Sequence, residues 1–195
     1  MTATNNILKM TDLDLSGQKI LIRADLNVPL VDGKVGSDQR IRAALETINL
    51  ATSQGGRIIL MSHLGRPEEG VFSDEFSLAP IARHMSTLLN QEIRFVTDWL
   101  DGIYVSKGEA VLCENVRFNI GEYKNDKELS KRMAALADIF VMDAFGTAHR
   151  AQASTEGVAR YAPLACAGPL LIKELEALSR SLRCLLYTSP SPRAR

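Results

Sequence analysis

The sequence predicts a three-layer α/β/α fold: a doubly wound, mainly parallel sheet of about six strands with helices on both faces. Three observations lead there. Short apolar runs alternate with stretches of helical periodicity, the pattern of a parallel sheet covered on both sides. The 195 residues, 46% hydrophobic and 24% charged, have the length and balance of an ordinary soluble α/β domain. No internal repeat or low-complexity linker interrupts the alternation before the end of the chain.

The elements follow in order. Ile20-Leu21-Ile22, flanked by Lys19 and Arg23, is the first strand. A helix starts near Arg40, because Ile41, Ala44, Leu45, Ile48 and Ala51 fall on one face. Gly55-Gly56 end it where a positive φ is cheap, and the second strand follows at once, from Arg57 to Met61. The next helix has Pro80 near its start and Ile81, Met85, Leu88 and Leu89 on its face, and it leads to a strand near 93–96. A fourth strand spans 110–113. Asn125 then caps a helix in a box-like start with Glu128, and its buried stripe is Leu129, Met133, Leu136 and Ala137. A fifth strand follows over 139–142 and a shorter sixth over 164–167. The last helix begins near Leu170, with Leu171, Leu175, Leu178 and Leu182 at helical spacing.

Composition excludes some functions. Lysine plus arginine equals aspartate plus glutamate, 23 each, so the chain has no basic excess for non-specific binding to nucleic acid or an anionic membrane. Any anion site must come from local arrangement. No secretory leader or membrane span is read in the sequence, and Cys113, Cys166 and Cys184 form no CxxC pair. A cytoplasmic protein with structural thiols is the expectation.

In open parallel sheets, ligands bind beyond the carboxyl ends of the strands. Asp25 and Asn27 follow the first strand; His63, Leu64, Gly65 and Arg66 follow the second; Arg117 follows the fourth; Asp143, His149 and Arg150 follow the fifth. Arg40 stands at the start of the first helix, on the same side. Four arginines and two histidines thus converge on one rim. Guanidinium forks match phosphate and carboxylate oxygens, and such cations without matching acids call for an anionic ligand. Asp25 and Asn27 suit a hydroxyl, one accepting and the other donating. Singly, each residue also has an ordinary structural reading: a surface ion pair for Arg66 or Arg117, a pairing or capping role for Asp25 and Asp143. His84, in mid-helix, is read as solvated.

The strings RADLNVP (23–29), SDQRIRA (37–43), SHLGRP (62–67), LCENVRF (112–118) and VMDAFGTAHRAQAS (141–154) closely resemble the N-terminal domain of the phosphoglycerate kinase family, in its bacterial form. AGPLL at 167–171 fits as well, and the resemblance runs from about Met10 to Arg183. It implies a Rossmann-like domain over residues 1–183 that binds 3-phosphoglycerate or 1,3-bisphosphoglycerate. The family moves a phosphoryl group reversibly between MgATP and the carboxylate of 3-phosphoglycerate in glycolysis. By the resemblance, Asp25 and Asn27 meet the C2 hydroxyl and its neighbours. His63, Arg66, Arg117 and Arg150 grip the non-reacting phosphate, with Leu64 and Gly65 among the binding residues. Arg40 is the catalytic member, beside the reacting carboxylate.

The family's nucleotide-binding C-terminal domain is expected to be absent, so MgATP or MgADP is not expected to bind these residues, and kinase activity is not expected from them alone. Family members are typically monomeric and fold a C-terminal segment back on this domain, so exposed apolar surface is anticipated here. After Arg183 the helical pattern is expected to stop. Residues 184–195, with two Ser-Pro steps, look like a translated sequencing adapter and are read as a non-native tail. The alternatives are a stand-alone phosphorylated-carboxylate-binding module without turnover, and an unrelated nucleotide-binding domain. The latter lacks support, since no GxGxxG follows a strand.

Overall fold

The computed structural model describes residues 7–188. In chain order it contains β1 (Lys19–Ala24), β2 (Leu30–Val31), β3 (Lys34–Val35), α1 (Gln39–Ser53), β4 (Arg57–Met61), α2 (Ala79–Leu89) and β5 (Arg94–Val96). There follow β6 (Ala110–Cys113), α3 (Lys127–Ala134), β7 (Ile139–Asp143), α4 (Phe145–Ala148), α5 (Val158–Tyr161), β8 (Leu164–Ala167) and α6 (Pro169–Thr188). Six strands form one sheet in the order β5-β6-β4-β1-β7-β8, and every pairing in it is parallel.

Side-chain alternation along the strands builds the two outer layers. Ile20, Ile22, Ile58, Leu60, Leu112 and Val141 face one core, shared with Ile41 and Ile48 of α1 and Ile81 and Met85 of α2. Leu21, Ile59, Met61, Val111 and Phe140 face the other, shared with Leu129 and Met133 of α3 and Val158 of α5. Each fully buried isoleucine contributes about 1.5–3 kcal/mol. The expected α/β/α sandwich is present. Cys113 and Cys166 are buried free thiols, and burial pushes the Cys166 thiol up to about 12.

Gly55 ends the α1 segment at φ +77°, while Gly56 is needed for space: a Cβ there would lie 2.8 Å from the Ala51 carbonyl oxygen.

The structure adds one element and corrects three local expectations. A small antiparallel hairpin, β2 with β3, turns through Asp32 and Gly33 at φ 50° and 70°. That is a primed turn, announced by an Asp-Gly step the helix-and-strand periodicities passed over. The α3 cap is Asp126, whose side chain accepts from Leu129 N at 2.9 Å. Asn125 instead takes φ +55° and donates to Glu156, so Glu128 closes no capping box. His84 is not simply solvated; its Nε2 lies 3.1 Å from Asp38 Oδ2, beside Arg42.

The third correction is at the C-terminal end. The helix does not stop after Arg183, since α6 runs to Thr188; residues 189–195 of the expected tail lie outside the described residues. Within α6, Leu171 is buried but Leu178 and Leu182 are 47% and 54% exposed, so the apolar stripe outruns the layer it packs on. Among the described residues no helix is long and apolar enough to cross a membrane.

Candidate functional site

The four strands whose ends carry the expected rim, β6, β4, β1 and β7, are contiguous in the sheet. From β1 the chain crosses to β4 on one side and later returns to β7 on the other. The split between β1 and β7 is therefore the topological switch point, where a crevice opens. A cavity of about 400 Å³ lies there, lined by Asp25, Arg40, Phe145 and Gly146 among others. Gly146 lies beside Asp25 at this mouth: a Cβ there would be 3.5 Å from Asp25 Oδ2, an ordinary contact.

Asp25 and Arg40 meet at the mouth. Arg40 Nη1 donates to Asp25 Oδ2 at 3.0 Å and to Oδ1 at 3.2 Å. The Arg40 side chain remains 55% exposed, so the pair is open to exchange with an incoming anion. Asn27 Oδ1 accepts from Gly65 N at 3.0 Å, which commits its oxygen to the protein and leaves the amide N–H₂ as the donor. Gly65 itself requires glycine: its φ is +58°, and a Cβ would lie 2.4 Å from the Phe76 ring. On its far side Asn27 borders a second cavity of about 360 Å³ with Leu64, Gly65 and Phe76.

Behind the rim sits a buried polar chain that sequence reasoning missed. Arg23, wholly buried, donates through Nε to Ser154 Oγ at 3.1 Å and through Nη1 to Ala24 O at 2.8 Å. Its Nη2 lies 3.0 Å from His63 Nδ1. Glu122, also wholly buried, accepts from Ser154 N at 2.9 Å and from Ser154 Oγ at 2.5 Å. Burial lowers Arg23 to about 10, against the opposing pull of Glu122 and Asp25. The same burial raises the Glu122 carboxyl.

The cations form one electrostatic set. Arg117 is 3% exposed; its Nη1 donates to Gly65 O, its guanidinium lies 5.2 Å from the centre of the Tyr123 ring, and its Nε is buried without a hydrogen-bond partner among the described residues. Burial lowers its pKa first, and Arg150 and Arg66 lower it further. His63, 4% exposed, is pushed down to about 2, by burial first and then by Arg23, Arg117, Arg150 and Arg40. Arg66 is exposed and Arg150 half-buried, neither with a side-chain ion-pair partner among the described residues.

The rim is less bare of acids than expected, because Asp25 pairs with Arg40 and the field of Glu122 reaches Arg23 and Arg117. Asp143 has a capping role. It accepts from Leu171 N at 3.1 Å and from Thr47 Oγ1, and burial raises its pKa. His149 is exposed and belongs to none of these contacts. A fully buried Arg23 inside an apolar run carried its own signal, since a charge there needs partners; nothing local marked Glu122.

The depressed pKa of His63 makes stability depend on pH. The unfolded ring takes up a proton below about pH 6.5 and the folded one does not, so stabilisation is lost as pH falls from there. The expected loss steepens from about 0.7 kcal/mol per pH unit near pH 6.5 to about 1.4 kcal/mol per unit near pH 5. Glu122 and Asp143, with raised pKa, bind protons first in the folded state and act in the opposite sense. Denaturant melts of wild type and His63→Gln over this window isolate the histidine. Parallel pH slopes in the two would contradict a neutral, buried His63.

A sequence model of the family "Phosphoglycerate kinase" matches residues 10–185. Among solved structures, phosphoglycerate kinase from Coxiella burnetii is similar at 60% identity and TM-score 0.88, over 90% of this chain and 45% of that one. Phosphoglycerate kinase from Pyrococcus horikoshii OT3 is similar at 33% identity and TM-score 0.80, over 95% of this chain and 47% of that one. The chain thus spans about half the length of these solved relatives.

Proposed function

Because the chain belongs to the phosphoglycerate kinase family, we propose that its cationic rim binds 3-phosphoglycerate, the acceptor in that family's phosphoryl transfer. The observation that carries this reading is Arg117: a guanidinium 3% exposed, its buried Nε unpartnered among the described residues, in the shared field of Arg66 and Arg150. A buried polar donor left without a partner needs an acceptor, and phosphate oxygens match the fork.

The roles divide along the rim. Arg66, Arg117, Arg150 and His63 hold the non-reacting phosphate, while Asp25 and the Asn27 amide take the hydroxyl. The Leu64-Gly65 backbone shapes the floor between them. Arg40, at the mouth of the crevice and still half exposed, sits beside the carboxylate and offsets charge on the phosphoryl in transit. The reacting carboxylate is ionised at neutral pH, so no general base is required. Positioning and charge neutralisation then do the catalytic work, and binding of the remote phosphate aligns the carboxylate. In the reverse direction the same rim takes 1,3-bisphosphoglycerate.

MgATP or MgADP is the family's second substrate. We assign nucleotide, metal and turnover to the longer family architecture, of which this chain spans about half, and expect no transfer from these residues alone. A cytoplasmic monomer acting in glycolysis is the setting this reading implies.

Calorimetric titration tests it. Saturable heat with 3-phosphoglycerate and none with MgATP is the expected result. Tight MgATP binding, or silence with 3-phosphoglycerate, overturns the assignment.

A further inference from the structure

We propose that Glu122 and Ser154 are positioning residues for the anion site, holding Arg23 so that it fixes His63 as a hydrogen-bond donor through Nε2. This deepens the reading above and rests on it only for the identity of the ligand that meets the donor.

The directions of the hydrogen bonds carry the inference. A guanidinium has five N–H donors and no acceptor, so the 3.0 Å contact between Arg23 Nη2 and His63 Nδ1 requires the lone pair of Nδ1. The ring proton then resides on Nε2. Arg23 cannot swing away cheaply, because Nε is engaged by Ser154 Oγ at 3.1 Å and Nη1 by Ala24 O at 2.8 Å. A hydroxyl that accepts from Arg23 must send its single proton elsewhere. That proton goes to Glu122 Oε1 at 2.5 Å, while the second carboxylate oxygen takes Ser154 N–H at 2.9 Å.

Every donor in the chain therefore points in a forced sense: Arg23 to His63 on one side, Arg23 to Ser154 to Glu122 on the other. The acceptor at the end has to be a carboxylate, since two oxygens are used at once. Cooperative polarisation of such buried chains strengthens each bond. The arrangement also solves a problem of charge. Arg23, Arg117, Arg150 and Arg40 all act on His63, and a protonated ring would add a fifth cation. A neutral ring locked in one tautomer supplies a donor without adding repulsion.

The test is long-range proton–nitrogen NMR on the full chain with ¹⁵N-histidine, with the three histidine rings sorted by subtracting the His63→Gln spectrum. Wild-type His63 is expected to show an unprotonated Nδ1 and a protonated Nε2, unchanged from about pH 6 to 8. In Ser154→Ala and Glu122→Gln the two nitrogen shifts should move toward each other as the tautomer lock fails. Affinity for 3-phosphoglycerate should weaken by about tenfold or more. Arg23→Lys, which keeps the charge but not the fork, should give the same collapse. A wild-type ring protonated on Nδ1 overturns the proposal whatever the variants do. So does an unchanged ring signature in the folded variants, even if affinity falls. A wild-type chain with the expected ring but no response to 3-phosphoglycerate upholds the positioning role and defeats the ligand assignment.

Discussion

Replacing Arg117 by alanine is expected to weaken 3-phosphoglycerate binding by at least about a hundredfold. The magnitude follows from what the guanidinium does. It is 3% exposed, it fastens the Gly65 carbonyl through Nη1, and its Nε faces no partner among the described residues. Charge-assisted bonds contribute about 1.5–3 kcal/mol each, and a fork makes two of them to a phosphate. Loss of the Gly65 anchor also loosens the loop that carries His63 and Arg66. Arg117→Lys should fail to rescue, since a point charge cannot hold the carbonyl and the ligand together. Arg40→Ala is the contrast: 55% exposed and paired with Asp25, it should change affinity by less than about tenfold. Calorimetry on the three variants decides. Equal losses for Arg117→Ala and Arg40→Ala would refute the division of labour along the rim.

Glu122→Ala should lower stability by about 3–5 kcal/mol, because it leaves the Arg23 guanidinium buried without its countercharge. In a protein of this size that corresponds to a melting temperature lower by about 10 °C. The raised pKa of Glu122 and the lowered pKa of Arg23 show that both charges are held at a desolvation cost. Neither is there for stability on its own; removing only one exposes the penalty of the other. Glu128→Ala removes an exposed pair with Lys131 and should shift the melt by no more than about 0.5 kcal/mol. A Glu122→Ala variant that melts with wild type would mean that Arg23 is compensated elsewhere.

Legibility differed sharply between the strands and the site. Apolar runs such as Ile58–Met61 and Val111–Cys113 are buried on both faces, so they read as strands without knowledge of neighbours. The α1 face of Ile41, Ala44, Ile48 and Ala51 was equally plain, for it is buried as spaced. Asn125 misled because an asparagine preceding a helical stripe is a normal cap; its φ of +55° places it one residue outside. Leu178 and Leu182 misled in another way. Spacing reports a face but not whether anything packs on it.

The rim was readable as strand-end chemistry: Asp25, Asn27, His63, Arg66, Arg117 and Arg150 all follow parallel strands, and Arg40 opens α1. What local pattern withheld was how these charges are compensated. Glu122 is separated from Arg23 by most of the domain, and the two meet only through Ser154. Ion pairing between Asp25 and Arg40 likewise depends on where α1 starts relative to the end of β1.

Period, capping and turn chemistry act between near neighbours, so the sequence by itself determined the six strands of the main sheet, the helices α1, α2, α3 and α6, and the set of polar side chains at the strand ends. Strand order is a long-range outcome. Only the tertiary structure placed β7 beside β1, opened the crevice at their switch point, and buried Arg23 against His63 and Ser154. Desolvation and charge coupling depend on what surrounds a group in three dimensions, and those two effects turned a row of basic residues into a site with one neutral histidine and one unsatisfied arginine.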